Sequence, residues 1–529
     1  MKIVTAAATA ALTLCALGAK AAGVEDAKEG GAVAIATACQ IDATDTNKLK
    51  WMREPKVEQS VTQHRLSAGG KAMDYTATAG ALVVRDDADK PVANMGYIAY
   101  TKSGARDPNR PILFAFNGGP GSSSVWLHMG VLGPKRVVVA DLVPTPPAPF
   151  RTVDNEFGVL DKSDLVMIDP VGTGISHAVC EKQDADFWGV DPDIDSISRF
   201  IAQYVSDNNR WTSPKYLLGE SYGTTRAAAI VNDLRAKRSL TFNGLVLVSV
   251  ATDIQAIFAI PGNDRPYAVY LPAFASVAWY HKMLPNQPQD IAPFLNEVRQ
   301  YSIGPYSQAL MKGDSLTGAD RDAVAEQLSR YTGLSTAYLK AANLRVTESM
   351  FVTELLKAQR KTVSRLDARF VGPTADPLQK NADYDPSFSA IGAAFTAAFL
   401  DYFHSDLKFG SGRTYIASNW TIGDKWKWTH SVIGVSGDQP MVNSGVDLAQ
   451  AIVQDPNLRV LVLNGYYDLA TPFSATEYVV NHLGLPPGLE SHIQMKYYEA
   501  GHMMYVHPGS LKKMKSDLDA FVSETSRPH

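Results

Sequence analysis

The chain has 529 residues, 45% of them hydrophobic, with 39 glycines, 3 cysteines and a formal net charge of −4. That length supports one large core with an insertion, or two to three domains. Without a basic excess to neutralise phosphates, nucleic acid is not an expected partner.

The first residues, "MKIVTAAATAALTLCALGAKAAG", set Lys2 before an apolar run from Ile3 to Gly18 and a small-residue pattern at Ala19-Lys20-Ala21. This is the layout of a cleaved signal peptide over residues 1–21, and it predicts a secreted or periplasmic protein. A membrane anchor fits less well, because polar "VEDAKEGG" follows and no second long apolar run occurs, so no stable membrane insertion is expected after cleavage. Leu14 before Cys15 is too bulky for a lipid-attachment box. After cleavage Cys39 and Cys180 remain; an oxidising compartment permits a bond between them, but the sequence leaves the pairing open. No Cys/His cluster has zinc spacing, and neither an HExxH helix nor an EF-hand loop occurs, so no metal is expected.

Residues 22–60 are small, polar and mixed in charge, and read as a loose leader. A first core segment follows over residues 61–253. Alternation in "MDYTATAGALVVRD" and "VANMGYIAYTK" predicts antiparallel strands joined through "DDADKP". "PILFAF", "DLVMID", "GLVLVSV" and "RVLVLNG" are apolar without alternation, as in parallel strands covered on both faces. Between such runs, "DIDSISRFIAQYVSDN" gathers Ile194, Ile197, Phe200, Ile201, Tyr204 and Val205 on one helical face, and "TTRAAAIVNDLRAK" and "ATEYVVNHLG" are further helices. Strands alternating with helices predict an α/β fold with a mostly parallel sheet. Over residues 254–455 helical patterns follow one another without buried strands, which predicts an inserted helical lid or a separate small domain. The α/β pattern resumes over residues 456–529.

The stretch "FNGGPGSSS", directly after "PILFAF", exposes backbone N–H groups at a strand end. It is not a phosphate loop: the Lys-Ser/Thr pair of a P-loop and the spacing of a dinucleotide fingerprint are both missing. A tight structural turn and a cradle for a developing oxyanion stay open. "YLLGESYGTT" favours the second. Gly219-Glu220-Ser221-Tyr222-Gly223 fits G-x-S-x-G between a strand and a helix, which places Ser221 on a sharp turn as a nucleophile. "RVLVLNG" runs into "YYDLATP", and "IQMKYY" runs into "EAGHMMYVHP". These put Asp468 and His502 on successive loops at the carboxyl edge of the sheet, where ligands of open α/β sheets bind, in the chain order Ser-Asp-His of this hydrolase chemistry. Alternatives are that Asp468 caps the helix starting near Pro472, or that His507 is the base. His507 precedes Pro508 and suits a helix cap better, and Asp455 lies before its strand, at the wrong edge. His128, His177, His281, His404 and His430 suit structural hydrogen bonds or solvent. The oxyanion donors expected are the N–H of Tyr222 and one from "NGGPG", each contributing roughly 3–4 kcal/mol to a transition state.

"NGGPGSSS", "GVLGP", "DPVGTGIS", "GESYG", "NGYYDLATP" and "AGHMMY", in this order between Pro111 and Pro508, together resemble the serine carboxypeptidases of peptidase family S10, with their acyltransferase relatives, within the α/β-hydrolase fold. The resemblance implies Ser221, Asp468 and His502 as catalytic residues and Gly119 and Tyr222 as oxyanion donors. It implies Asn117, Gly118 and Glu220 as substrate-binding residues, with Asn117 and Glu220 taking the substrate's C-terminal carboxylate. It implies a peptide or small acyl substrate and no cofactor. The chain departs from the family pattern at Ala115, where Trp is usual, and at Val131, where Glu is usual; both belong to the carboxylate-binding network. Ser122 stands where Cys is usual, and "DPVG" is one residue shorter than the common form. An esterase or acyltransferase using the same triad is the alternative. A binding protein on a retired hydrolase fold is disfavoured, since no catalytic position is missing. Neither side-chain preference nor oligomeric state is encoded in any of these motifs.

Overall fold

The computed structural model describes Cys39 and residues 52–68, 71–105 and 107–526. The expected signal peptide and most of the expected leader lie outside the described residues. The framework is a ten-stranded sheet. Its main strands are β1 (Glu58–Ala68), β2 (Lys71–Arg85), β3 (Pro91–Lys102), β4 (Ile112–Phe116), β5 (Asp164–Ile168), β6 (Lys215–Ser221), β7 (Gly244–Val250), β8 (Arg459–Gly465) and β9 (Ile493–Tyr498). They lie in the order β1-β2-β3-β5-β4-β6-β7-β8-β9, with short His177–Ala178 beside β3. β1, β2, β3 and β5 pair antiparallel, and every pair from β5 through β4 to β9 is parallel.

The absence of alternation in the parallel strands has a direct cause. In β4, Leu113 and Ala115 enter one hydrophobic cluster while Ile112, Phe114 and Phe116 enter another on the opposite face. β8 divides likewise, with Leu461 and Leu463 on one face and Val460 and Val462 on the other. Both faces are buried, so both sets must be apolar. One face is covered by α1 (Val190–Asp207), α2 (Tyr222–Arg238) and α5 (Gly445–Gln454), the other by α4 (Pro386–Ser405) and α7 (Pro508–Thr525). The expected face of α1 is the buried one: Ile194, Ile197, Phe200, Ile201, Tyr204 and Val205 all lie in the core.

Between β7 and β8 the chain is mostly helical. Helix α3 (Arg265–Tyr280) anchors a third apolar cluster that includes Phe294, Leu328 and Phe351 and reaches Tyr467, Leu469 and Phe473, at the start of α6 (Phe473–Asn481). Two helices of the same stretch, α4 and α5, lie on the sheet itself. Strand β1 begins inside the stretch read as leader. It is an edge strand whose register with β2 is set by backbone pairing, and Val61 is 54% exposed, so little hydrophobic patterning marks its start. Cys39 and Cys180 are joined in a disulfide, with Cα atoms 5.3 Å apart.

Candidate active site

Ser221 closes β6 and opens α2 with φ 60° and ψ −131°. A non-glycine residue there costs on the order of 1–3 kcal/mol and persists only where the surroundings enforce it. The enforcing contacts are backbone against backbone. A Cβ on Gly118 would lie 2.5 Å from the Tyr222 nitrogen and 2.7 Å from the Glu220 carbonyl, and a Cβ on Gly219 would collide with the Gly223 carbonyl. Glycines at 118 and 219 therefore let the loop after β4 lie flat against the turn that carries Ser221. This brings the backbone of "NGGPG" beside the Tyr222 N–H, the two sources expected for an oxyanion cradle.

Behind this turn is a charge absent from the sequence reading. Arg226, in the first turns of α2, is buried; its Nε donates to Asp193 Oδ2 at 2.7 Å and its Nη1 to the Asn117 carbonyl at 2.7 Å. Its guanidinium also lies over the Phe116 and Tyr222 rings, 5.1 and 5.2 Å from their centroids. One cation thus ties α1, the loop after β4 and α2 together. The residues bear no motif; an arginine and an aspartate at the starts of two otherwise core-facing helices were the available signal.

Asp468 and His502 lie just past the carboxyl ends of β8 and β9, on loops joined by a bond from the Tyr467 N–H to the Ala500 carbonyl at 3.0 Å. Asp468 is buried. Its Oδ1 accepts the N–H groups of Ala470 and Thr471 at 2.8 and 2.9 Å, and its Oδ2 accepts the Thr471 hydroxyl at 2.7 Å. The same Oδ2 lies 2.8 Å from His502 Nδ1, which orients the imidazole with Nε2 turned away from the carboxylate. Burial opposes charge on His502, but the Asp468 charge and hydrogen bond, with help from Glu220, outweigh it and hold its pKa above the ordinary histidine value. His507 is elsewhere engaged: its Nδ1 accepts the Ser510 N–H and caps α7.

Ser221, His502, Glu220, Tyr222, Asn117, Gly118 and Gly119 all line one cavity of about 220 Å³. Its remaining wall includes the aromatic residues Trp126, Phe258, Phe388, Trp420 and Trp428. Glu220 is buried. Its Oε1 accepts from Asn117 Nδ2 at 2.8 Å, and Asn117 Oδ1 in turn accepts the Leu127 N–H at 3.0 Å. The Tyr505 hydroxyl faces the Glu220 carboxyl but stops short of a hydrogen bond, so Glu220 Oε2 and Tyr505 Oη find no hydrogen-bond partner among the described residues. Burial pushes the Glu220 pKa up to about 7, against the pull of the His502 charge. Ala115 and Val131 are buried in the apolar core and supply no second polar group to this carboxyl.

Four other histidines form hydrogen bonds outside the cavity lining. His128 bonds to the Tyr100 hydroxyl at 2.6 Å, and burial pushes its pKa down to about 3, so it is neutral. His177 and His281 bond to the carbonyls of Ile175 and Ala368, and His430 lies between Asp191 and Asp447. Among the described residues no group of three or more His, Cys, Asp or Glu side chains is placed to hold a metal ion, and no helix is long and apolar enough to cross a membrane.

Residues 73–287, which carry β4, "GESYG" and most of the sheet, match the family model described as serine carboxypeptidase. No curated protein sequence matches the chain. Among solved structures it is similar to a proline iminopeptidase from Mycobacterium smegmatis, at 15% identity and a TM-score of 0.36 over 84% of this chain and 98% of that one. It is also similar to a peroxisomal alpha-beta-hydrolase from Saccharomyces cerevisiae, at 9% identity and a TM-score of 0.37 over 90% of this chain and 91% of that one. The sheet order itself, with a serine turn after β6 and two polar loops after β8 and β9, is that of the α/β-hydrolase fold. Over residues 73–287 the chain matches the serine carboxypeptidase family, and the chain is a serine hydrolase of the α/β-hydrolase fold.

Proposed function

We propose that this chain is an exported serine carboxypeptidase acting through an acyl-enzyme. Ser221 Oγ attacks the carbonyl carbon of the last peptide bond while His502 Nε2 takes its proton, and the N–H groups of Gly119 and Tyr222 receive the oxyanion. The C–N bond then breaks and His502 returns the proton to the leaving amine. Water attacks the acyl carbon with His502 again as base, which frees the shortened peptide and restores Ser221. Asp468 fixes the imidazole tautomer and balances its charge.

The observation that carries the carboxypeptidase reading is Glu220: a buried carboxyl next to Ser221, in the same cavity, held by Asn117 and with a pKa of about 7. Protonated, such a group donates a hydrogen bond to a substrate carboxylate; two adjacent carboxylates cannot both ionise cheaply. Release from a blocked dipeptide compared with its C-terminal amide tests this, and the free acid should be cleaved in strong preference. An esterase or acyltransferase reading draws on the unpartnered Glu220 Oε2 and on Ala115 and Val131, which leave the carboxylate network incomplete. Equal hydrolysis of acid and amide would favour it. Export is supported by the apolar N-terminal run and by the Cys39–Cys180 disulfide, a bond that persists in oxidising compartments.

A further inference from the structure

The segment around Arg365 is fastened to the loops of both Asp468 and His502. The Leu366 carbonyl accepts the His502 N–H at 2.7 Å, and the Arg365 carbonyl accepts the Leu469 N–H at 3.0 Å. Asp385 Oδ2 accepts the N–H groups of Arg365 and Leu366 at 2.8 and 3.1 Å, while its Oδ1 accepts that of Phe388 at 2.9 Å. The Phe388 ring lies 5.4 Å from that of Trp126, and the neighbouring Leu127 N–H is held by Asn117, the partner of Glu220. A continuous chain of contacts therefore runs along one wall of the cavity from Glu220 to Arg365.

The backbone of Arg365 is pinned, but its guanidinium is not. The side chain is 49% exposed and lines the cavity, and its ion pair with Glu348 is long, at 3.8 Å. Burial pushes the Glu348 carboxyl up to about 7, so near neutrality this partner is part-protonated and compensates the cation incompletely. The Arg365 charge reaches His502, whose protonation it opposes. The same cavity is lined by the apolar side chains of Leu366, Phe388, Trp126 and Met503 and by polar Ser418, Asn419 and Thr471, with Arg365 its one Arg or Lys among the described residues.

We propose that Arg365 recognises a carboxylate on the leaving half of the substrate, and so selects acyl compounds whose leaving group carries a negative charge. This rests on the hydrolase reading of the cavity. The carboxylate could be a peptide's free C-terminus or an acidic side chain at its last residue, and Arg365 serves either through charge-assisted hydrogen bonds of its planar fork. Recognition by this residue would make up for the partners that Ala115 and Val131 do not provide to Glu220.

The experiment compares wild type, Arg365→Gln and Arg365→Lys on three blocked dipeptides: one ending in alanine acid, one in alanine amide and one in aspartic acid α-amide. The matching depsipeptide esters are run alongside. In Arg365→Gln the ratio of KM for charged to uncharged substrate should rise by about tenfold or more, with kcat moving much less, and Arg365→Lys should recover part of the ratio. A rise for the alanine acid alone assigns Arg365 to the C-terminus; a rise for the aspartic amide assigns it to the side chain. An unchanged ratio, or equal change for charged and uncharged substrates, overturns the proposal. If wild type hydrolyses only the esters, the peptidase reading fails while the ester ratio still decides Arg365. If nothing turns over, protection of Ser221 from fluorophosphonate labelling by a blocked amino acid against its amide yields the same comparison.

Discussion

His502 Nδ1 lies 2.8 Å from Asp468 Oδ2, and Asp468 spends its other oxygen on the N–H groups of Ala470 and Thr471. The carboxylate is fixed by its own loop before it meets the histidine, so it sets the imidazole's orientation. Asp468→Asn should keep the fold but present the wrong hydrogen-bonding partner to Nδ1, lowering kcat by about 10⁴. Ser221→Ala should lose fluorophosphonate labelling altogether. His507→Ala should keep turnover and lose some stability, because its Nδ1 caps α7. A dead His507→Ala beside an active His502→Ala would reverse the assignment of the base.

Glu220 predicts the pH dependence. With a pKa of about 7 raised by burial, its carboxyl is mostly protonated at pH 6 and mostly ionised at pH 8. KM for a C-terminal acid should therefore rise as pH passes 7, while kcat falls on the acid side as His502 gains a proton. Glu220→Gln keeps a donor and cannot ionise, so its KM should stay level with pH. A KM that rises in Glu220→Gln as it does in wild type would remove Glu220 from carboxylate recognition.

The same group bears on stability. Its folded pKa lies above the unfolded carboxyl value of about 4.3, so the folded state holds the extra proton between these values and stability falls as pH rises through the interval. Above pH 8 the penalty is on the order of 3 kcal/mol. Glu220→Gln should then melt higher than wild type at pH 8 and about level with it at pH 5, a difference that thermal unfolding at the two pH values measures.

Strand identity was legible wherever burial was two-sided, because the covering helices force both faces of β4, β5, β7 and β8 to be apolar. The residues gathered around Ser221 were legible because tight backbone contact leaves only glycine at 118 and 219, which stamps a motif on the sequence. Arg226 and Asp193 left no such mark: their bond joins two helices 33 positions apart, and neither spacing nor composition records it. Arg365 was equally silent, since it enters the cavity through hydrogen bonds made by its backbone, which any residue type could make. The start of β1 was missed because an exposed edge strand needs no apolar face.

Gly118 offers a test of the oxyanion cradle that leaves every polar side chain in place. Its missing Cβ would lie 2.5 Å from the Tyr222 nitrogen and 2.6 Å from that of Gly223, both rigid backbone. Gly118→Ala should push the loop off the serine turn and lower kcat by about 10²–10³, the scale of losing one oxyanion donor. Fluorophosphonate labelling should slow in step. Unchanged kcat would show that the loop is a turn and nothing more.

His430 lies buried between two carboxylates, with Nδ1 2.5 Å from Asp191 Oδ1 and Nε2 2.9 Å from Asp447 Oδ2. Both ring nitrogens must donate to satisfy both partners, which only the imidazolium does. Burial works against that charge, but the two carboxylates outweigh it and push the pKa up to about 9. The folded value exceeds the unfolded value of about 6.5, so the stabilisation is complete below pH 6.5 and is lost as pH rises through 9. Asp447 also accepts from Asn232 on α2, so the cation ties the starts of α1 and α5 to the helix that carries the serine turn. His430→Gln, neutral at every pH, should melt well below wild type at pH 6, and the gap should shrink by pH 9.5. Because His430 does not itself line the cavity, the kcat of folded His430→Gln should follow wild type at low temperature. A melting gap of the same size at both pH values would mean that His430 is neutral in the folded protein and that the two carboxylates hold it without a charge.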